Sequence, residues 1–239
     1  MALETEDRES DSPYIARVWR GRSCGVERMT SVATANWELV FWTEQGVVRA
    51  AVRGPETAAS AAAVPDGSES FGITFSHGTR MPHLPVPRLV NTQLESPHAT
   101  PRSFVLRGEE WPLPGFSTAE QFAARLVRAG VLVRDPLVAE ALGGAPPSAG
   151  TRSVQRRVAA STGLAQGAIQ RIERARQAAV LLAEGAAPLD VTHRLGYYDQ
   201  PHLARSLTRY IGRTATQLRR EDAGEPLSLL YKTDACGRS

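Results

Sequence analysis

The segment Pro188-Leu-Asp-Val-Thr-His-Arg-Leu-Gly-Tyr-Tyr-Asp-Gln-Pro-His-Leu-Ala-Arg-Ser-Leu-Thr-Arg-Tyr-Ile-Gly-Arg-Thr214 reads as two helices folded about a tight turn. Pro188 opens the first, because proline is tolerated where a helix has no hydrogen bond to lose, and Gly196 ends it. Tyr197-Tyr198 makes the turn. Asp199 is placed to cap a second helix running to about Ile211, with Pro201 in its first turn. Thr214-Ala-Thr-Gln217 has the form of a capping box and predicts a closing helix.

The pattern occurs again 49 residues upstream. Val154 falls on Leu203, Arg156 on Arg205, Val158 on Leu207, Gly163 on Gly212 and Ile169 on Leu218. Residues four apart share a helix face, so Val154 with Val158, and Leu203 with Leu207, turn inward. Arg156 and Arg205 lie between them and point outward, and each glycine closes its helix. Two similar helices, each presenting an arginine, are expected. The second, with the helix before it, has helix-turn-helix form.

Working outward, Asp135-Pro136 predicts an N-cap and a first-turn proline for a helix through about Leu142, followed by a loop over Gly143-Gly-Ala-Pro-Pro-Ser-Ala-Gly150. Ser117-Thr-Ala-Glu120 has capping-box form, with Phe122, Ala123, Leu126 and Val127 on one face and Gly130 as the stop. Upstream the period changes. Glu38-Leu-Val-Phe-Trp42 and Val47-Val-Arg-Ala-Ala-Val52 predict a hairpin about Thr43-Glu-Gln-Gly46. Ser70-Phe-Gly-Ile-Thr-Phe75 and Ser103-Phe-Val-Leu106 are further strand candidates. The three prolines of Met81-Pro-His-Leu-Pro-Val-Pro-Arg88 predict a loop, and Ala58 to Pro65 is ambiguous. The expected fold is α+β. A frayed acidic tail (1–12) precedes a small β-rich domain of sandwich or barrel type (13–116). A connector helix (117–134), an all-helical domain (135–223) and a tail (224–239) follow.

The 239 residues carry a net charge of +3, with 42% hydrophobic and 22% charged residues. That suits a globular chain and excludes a disordered or collagen-like one. No apolar run is long enough to span a membrane. The acidic N-terminus lacks an apolar core, so no secretory signal is expected, and a reducing cytoplasm is the expected compartment. The two cysteines, Cys24 and Cys236, exclude a disulfide framework or a four-cysteine zinc site. The charge is uneven. Between Thr151 and Arg220 twelve arginines stand against Glu173, Glu184, Asp190 and Asp199, leaving +8 there and −5 elsewhere. Such an asymmetry suggests a polyanionic partner, although the single lysine, Lys232, shows that arginine is the usual base throughout.

From Gly150 to Arg220 the chain resembles the AraC/XylS class of bacterial transcription regulators. The resemblance is carried by Val154-Gln-Arg-Arg-Val158, Thr162-Gly-Leu164, Arg174-Ala-Arg-Gln-Ala-Ala-Val-Leu-Leu182, Asp190-Val191, Leu195-Gly-Tyr-Tyr-Asp-Gln200, His202-Leu203 and Gly212-Arg-Thr214. It implies two helix-turn-helix units joined by one long helix, about 166–184, with Ile169, Ile172, Ala175, Ala179 and Leu182 inward. Two reading helices would then enter major-groove segments of double-stranded DNA about 34 Å apart, one turn of the duplex. It implies base contacts by Arg152, Gln155 and Arg156 from the first unit and by Asp199, Gln200, His202 and Arg205 from the second. His202 is equally suited to a capping role. The residue types fit, since arginine pairs bidentately with guanine and glutamine with adenine. Arg157, Arg209, Arg213 and Arg219 are the candidates for phosphate, which positions without specifying. Val158 stands where relatives carry a bulky aromatic, Ala215 where they carry proline, and the first turn is longer than theirs.

The resemblance also implies an N-terminal half that senses a small effector, dimerises, or both, and RNA polymerase as the partner of an activator. No cofactor is expected. Trp37, Phe41 and Trp42 either line an apolar effector pocket or fill a core. His77, His83 and His98 offer imidazoles to a metal, which would suit a cupin-like metal-dependent enzyme with a DNA-targeting C-terminal module, but no carboxylate or cysteine stands at a ligand spacing beside them. A DNA-repair fusion would need a thiolate zinc site, against which two cysteines argue.

Overall fold

The acidic N-terminus is a strand. Ala2–Glu9 (β1) pairs antiparallel along its whole length with Ile15–Cys24 (β2), so the expected frayed tail is not what forms. Its carboxylates face arginines across the ladder. Arg20 Nε donates to Glu6 at 2.7 Å, and Arg17 pairs with Asp7. Opposite charges placed directly across a pair stabilise a strand that has no apolar face of its own.

The computed structural model describes residues 2–64, 66–143, 151–220 and 225–228 of the chain, in two units. The first unit takes Met1–Val26, Asn36–Pro55 and Pro65–Gln166. After β2 the chain leaves it for Arg28–Ser31 (β3) and returns as the hairpin Glu38–Glu44 (β4) and Val47–Arg53 (β5). It leaves again for Ser60–Ala63 (β6) and returns as Glu69–Phe75 (β7). Thr79–Arg80 (β8) and Gln93–Glu95 (β9) follow. β1, β2, β7, β4, β5 and β9, in that order, make one open antiparallel sheet in place of the expected sandwich or barrel. The predicted hairpin is present. Gln45 and Gly46 both have positive φ (50° and 77°), the geometry of a two-residue turn that matches strand twist.

One face of that sheet carries Val18, Leu39, Phe41, Ala50, Val52, Ile73 and Phe75. The hairpin Ser103–Leu106 (β10) and Glu109–Pro112 (β11) packs into this core through Phe104, Leu106 and Trp111. The helix Ala119–Arg128 (α1) does so through Phe122, Ala123 and Leu126, so the segment expected to connect domains is part of one. Its expected capping box does not form. Thr118 Oγ1 accepts from the Gly115 N–H, and Glu120 binds Arg8 at 2.6 Å instead. The proline-rich loop contains a 3₁₀ turn, Val86–Leu89, whose Val86 and Leu89 are buried. Val133–Arg134 (β12) pairs with β8 and leads to Pro136–Leu142 (α2), capped by Asp135 as expected, and to Thr151–Thr162 (α3). α2 and α3 pack together and belong to the unit of the sheet.

The second unit takes Glu27–Ala35, Glu56–Val64 and Gly167–Ser239, so two pieces of the N-terminal half belong with the C-terminal helices. The boundary expected at residue 135 is therefore not where the units divide. β3 and β6 pair antiparallel. Gln166–Ala183 (α4) buries Ile169, Ile172, Ala175, Ala179 and Leu182, as the period required, and also Ala178 and Arg176. Pro188–Arg194 (α5), Gln200–Tyr210 (α6) and Ala215–Arg219 (α7) follow, the last with the predicted capping box of Thr214 and Gln217. The final carbonyls of α6 have no intrahelical donor. Strand-linked backbone supplies them: Ala59 N–H donates to Arg209 O and Ala33 N–H to Tyr210 O, both at 2.8 Å.

Candidate nucleic-acid interface

The repeat is visible in the helix bounds. α3 and α6 run into the left-handed glycines Gly163 and Gly212, 49 residues apart. Each follows a seven-residue helix that opens with proline. Val154, Val158, Leu203 and Leu207 are buried. Gly163 and Gly212 have φ of 75° and 73°, the left-handed region in which glycine alone is comfortable. A Cβ on Gly163 would lie 2.6 Å from Val90 Cγ2 and 2.9 Å from Pro87 Cα, and one on Gly212 would lie 2.9 Å from Thr30 Cγ2.

Of the residues expected at bases, Arg152, Gln155 and Arg156 on α3 and Gln200 and Arg205 on α6 are exposed. Asp199 is committed to the fold, since its Oδ1 accepts from the His202 N–H at 2.7 Å. His202 is committed as well: its Nδ1 accepts from the Tyr198 N–H at 3.4 Å, and its ring meets the edge of Tyr197, with centroids 5.2 Å apart. The burial of Tyr197 raises its phenol pKa, and the ring is sandwiched further by Arg174, 4.6 Å from its centroid.

The phosphate candidates divide. Arg219 is exposed. Arg157 pairs with Asp135, Nε to Oδ2 at 2.9 Å, which ties α3 to the cap of α2. Arg209 lies over the Tyr210 ring, and Arg213 binds the Glu225 carbonyl. Arg176, counted among the twelve, is 2% exposed and donates to Ala33 O at 2.8 Å. Charge arithmetic cannot separate such a core arginine from a surface one. Tyr198, read in the sequence only as a turn residue, is 92% exposed. A turn tyrosine beside a buried one has no periodic signature.

In the sheet unit, Trp37 is a core residue, stacked on Phe75 at 4.0 Å with its indole N–H on Thr79 O at 2.7 Å. It fills the core and is not part of the lining of the cavity beside Phe41, so for Trp37 the core reading of the three aromatics is the one the structure favours. Phe41 is buried, yet it borders a cavity of about 590 Å³ that Trp42 also lines. Phe71, Phe116, Arg20 and Arg22 complete the part that matters. Arg20 lies over Phe116 at 4.7 Å. Neighbouring Arg8 holds the Glu120 carboxyl down at about 2, chiefly by hydrogen bonding to it. His77, His83 and His98 do not come together, and no group of three metal-ligating side chains exists among the described residues. His77 is half-buried, and desolvation lowers it to about 4. Cys24 is a free, exposed thiol, and Cys236 lies outside the described residues. No helix among the described residues is long and apolar enough to cross a membrane.

The chain matches no family model, no curated protein and no solved structure.

Proposed function

We propose that this protein is a sequence-specific DNA-binding transcription regulator of the kind the AraC/XylS resemblance implies. α2 with α3, and α5 with α6, act as its two helix-turn-helix units. The observation that carries the reading is the equivalent exposure of Arg156 and Arg205. Each sits between two buried aliphatic side chains on a helix that follows a shorter, proline-opened one. A helix needs its buried stripe to fold, but nothing in folding requires a free guanidinium at the same outward position twice. Guanine recognition in a major groove supplies a reason. Two such helices would read segments about one DNA turn apart. The cavity beside Phe41, with aromatic walls and the guanidinium groups of Arg20 and Arg22, is the proposed seat of a small effector.

The test is a fluorescence-anisotropy titration of the purified chain across a salt series, with a labelled fragment from upstream of its own gene and a scrambled fragment of equal length. A preference of about a thousandfold or more is expected for a specific regulator, with affinity falling steeply as salt rises. Absence of binding at low salt would overturn the reading.

A further inference from the structure

We propose that α3 and α6 read unequal half-sites built around a shared guanine, α3 choosing adenine beside it and α6 choosing a thymine methyl. The proposal rests on the DNA-binding reading above and goes beyond it.

Position comes first. Each arginine stands seven residues before the left-handed glycine that stops its helix, with the buried residues two before it and two after: Val154 and Val158 around Arg156, Leu203 and Leu207 around Arg205. Both side chains therefore leave at the same turn and in the same direction relative to their own buried faces. Availability comes second. Neither Arg156 nor Arg205 makes a hydrogen bond or ion pair among the described residues, while their neighbours Arg157, Arg209 and Arg213 are engaged. A guanidinium free in the same place on both helices is matched by the O6 and N7 acceptors of one guanine in each half-site.

The positions one before and three after each arginine are four apart, so they form one stripe next to it, on the side away from the core. In α3 they are Gln155 and Ala159, in α6 Ala204 and Thr208, and all four are exposed. A glutamine amide pairs bidentately with adenine, whereas alanine and threonine methyls offer apolar contact to the C5-methyl of thymine. Asp199, the cap, and His202, in the first turn of α6, are held by the turn, and exposed Gln200 stands five residues before Arg205, outside the pair that flanks it. The shared position predicts a common guanine, and the differing flanks predict different neighbours for it.

The test is selection of bound duplexes from a randomised pool by the full-length chain, followed by titrations with Arg156→Ala, Arg205→Ala and Gln155→Ala. Two guanines are expected, each costing about tenfold or more when replaced. Arg156→Ala should erase the preference at one and Arg205→Ala at the other. Gln155→Ala should release the adenine, and uracil for thymine beside the second guanine, which deletes only a methyl, should weaken binding about two- to fivefold. Arg156→Lys and Arg205→Lys keep the charge and lose the rigid fork, so they should weaken the guanine preference less than the alanine variants do while retaining the salt dependence. Enriched sequences with no guanine released by either variant, or one guanine lost with both, would overturn the proposal and leave the DNA-binding reading standing. A pool with no enriched sequence would overturn that reading, and the proposal with it.

Discussion

The two helix pairs share a plan and differ in what holds them. In the first, eight residues separate α2 from α3; in the second, five separate α5 from α6. The second turn is closed by its own side chains, with Asp199 capping α6 and Tyr197 packed between His202 and Arg174. In the first pair, among the described residues, Arg157 of α3 clasps Asp135 at the start of α2. Their glycine corners meet different segments, Gly163 against Pro87 and Val90, Gly212 against Thr30 and Ala59. A repeat therefore preserves the buried stripe, the outward arginine and the left-handed stop. The surroundings that lock each copy are separate solutions, drawn from different parts of the N-terminal half.

The largest expected effect tests the buried stripe. Leu207→Ala should cost about 2–5 kcal/mol and Val158→Ala about 2, in proportion to the methyl groups removed. Denaturant midpoints would show this, and equal costs would mean that the two cores relax differently. Next comes the glycine corner. Gly163→Ala should destabilise by about 2–4 kcal/mol and Gly212→Ala by about 1–3, since both add a left-handed penalty and the first also drives a Cβ toward backbone at Pro87. A neutral Gly163→Ala would show that the 3₁₀ turn gives way freely. The caps come third. Asp199→Ala should cost about 1 kcal/mol, and Asp135→Ala slightly more because it also frees Arg157. A double-mutant cycle of Asp135 with Arg157 would measure that difference, and a coupling of zero would remove the clasp.

The smallest effect separates the units by pH. His77 and Glu120, both in the sheet unit, have pKa values lowered by folding, to about 4 and about 2. Their stabilisation is present above the unfolded values and is lost as pH falls, between about 6.5 and 4 for His77 and between about 4.5 and 2 for Glu120. Tyr197, in the other unit, is raised, so its contribution is present below about pH 10 and is lost as pH rises through the folded value. Hydrogen-exchange protection factors should fall first in the sheet unit in acid and first around α5 and α6 in alkali. The opposite order would show that other groups govern each unit.

Much of the helical part was legible because short-range rules fix it. Proline at a first turn, aspartate at a cap and glycine at a stop act within a few residues, and Pro136, Asp135, Asp199, Gly163 and Gly212 sit where those rules put them. The inward list for α4 followed from its period. Three readings failed for a common reason. The frayed tail expected where the N-terminal strand forms, the capping box expected over Ser117–Glu120 and the count of surface arginines each depended on partners distant in sequence. Those partners were β2 for the strand, Arg8 for Glu120 and Ala33 for Arg176.

Local periodicity and turn chemistry in the sequence therefore determined the helices, the β4–β5 hairpin, the 49-residue repeat and the outward arginines. Only the tertiary structure decided that α2 and α3 belong with the sheet, that β3 and β6 belong with the second pair, and that Trp37 fills a core. It also decided which polar side chains of α6 remain free. Those outcomes are set by burial and by backbone groups seeking partners far along the chain. A short window of sequence carries no record of either.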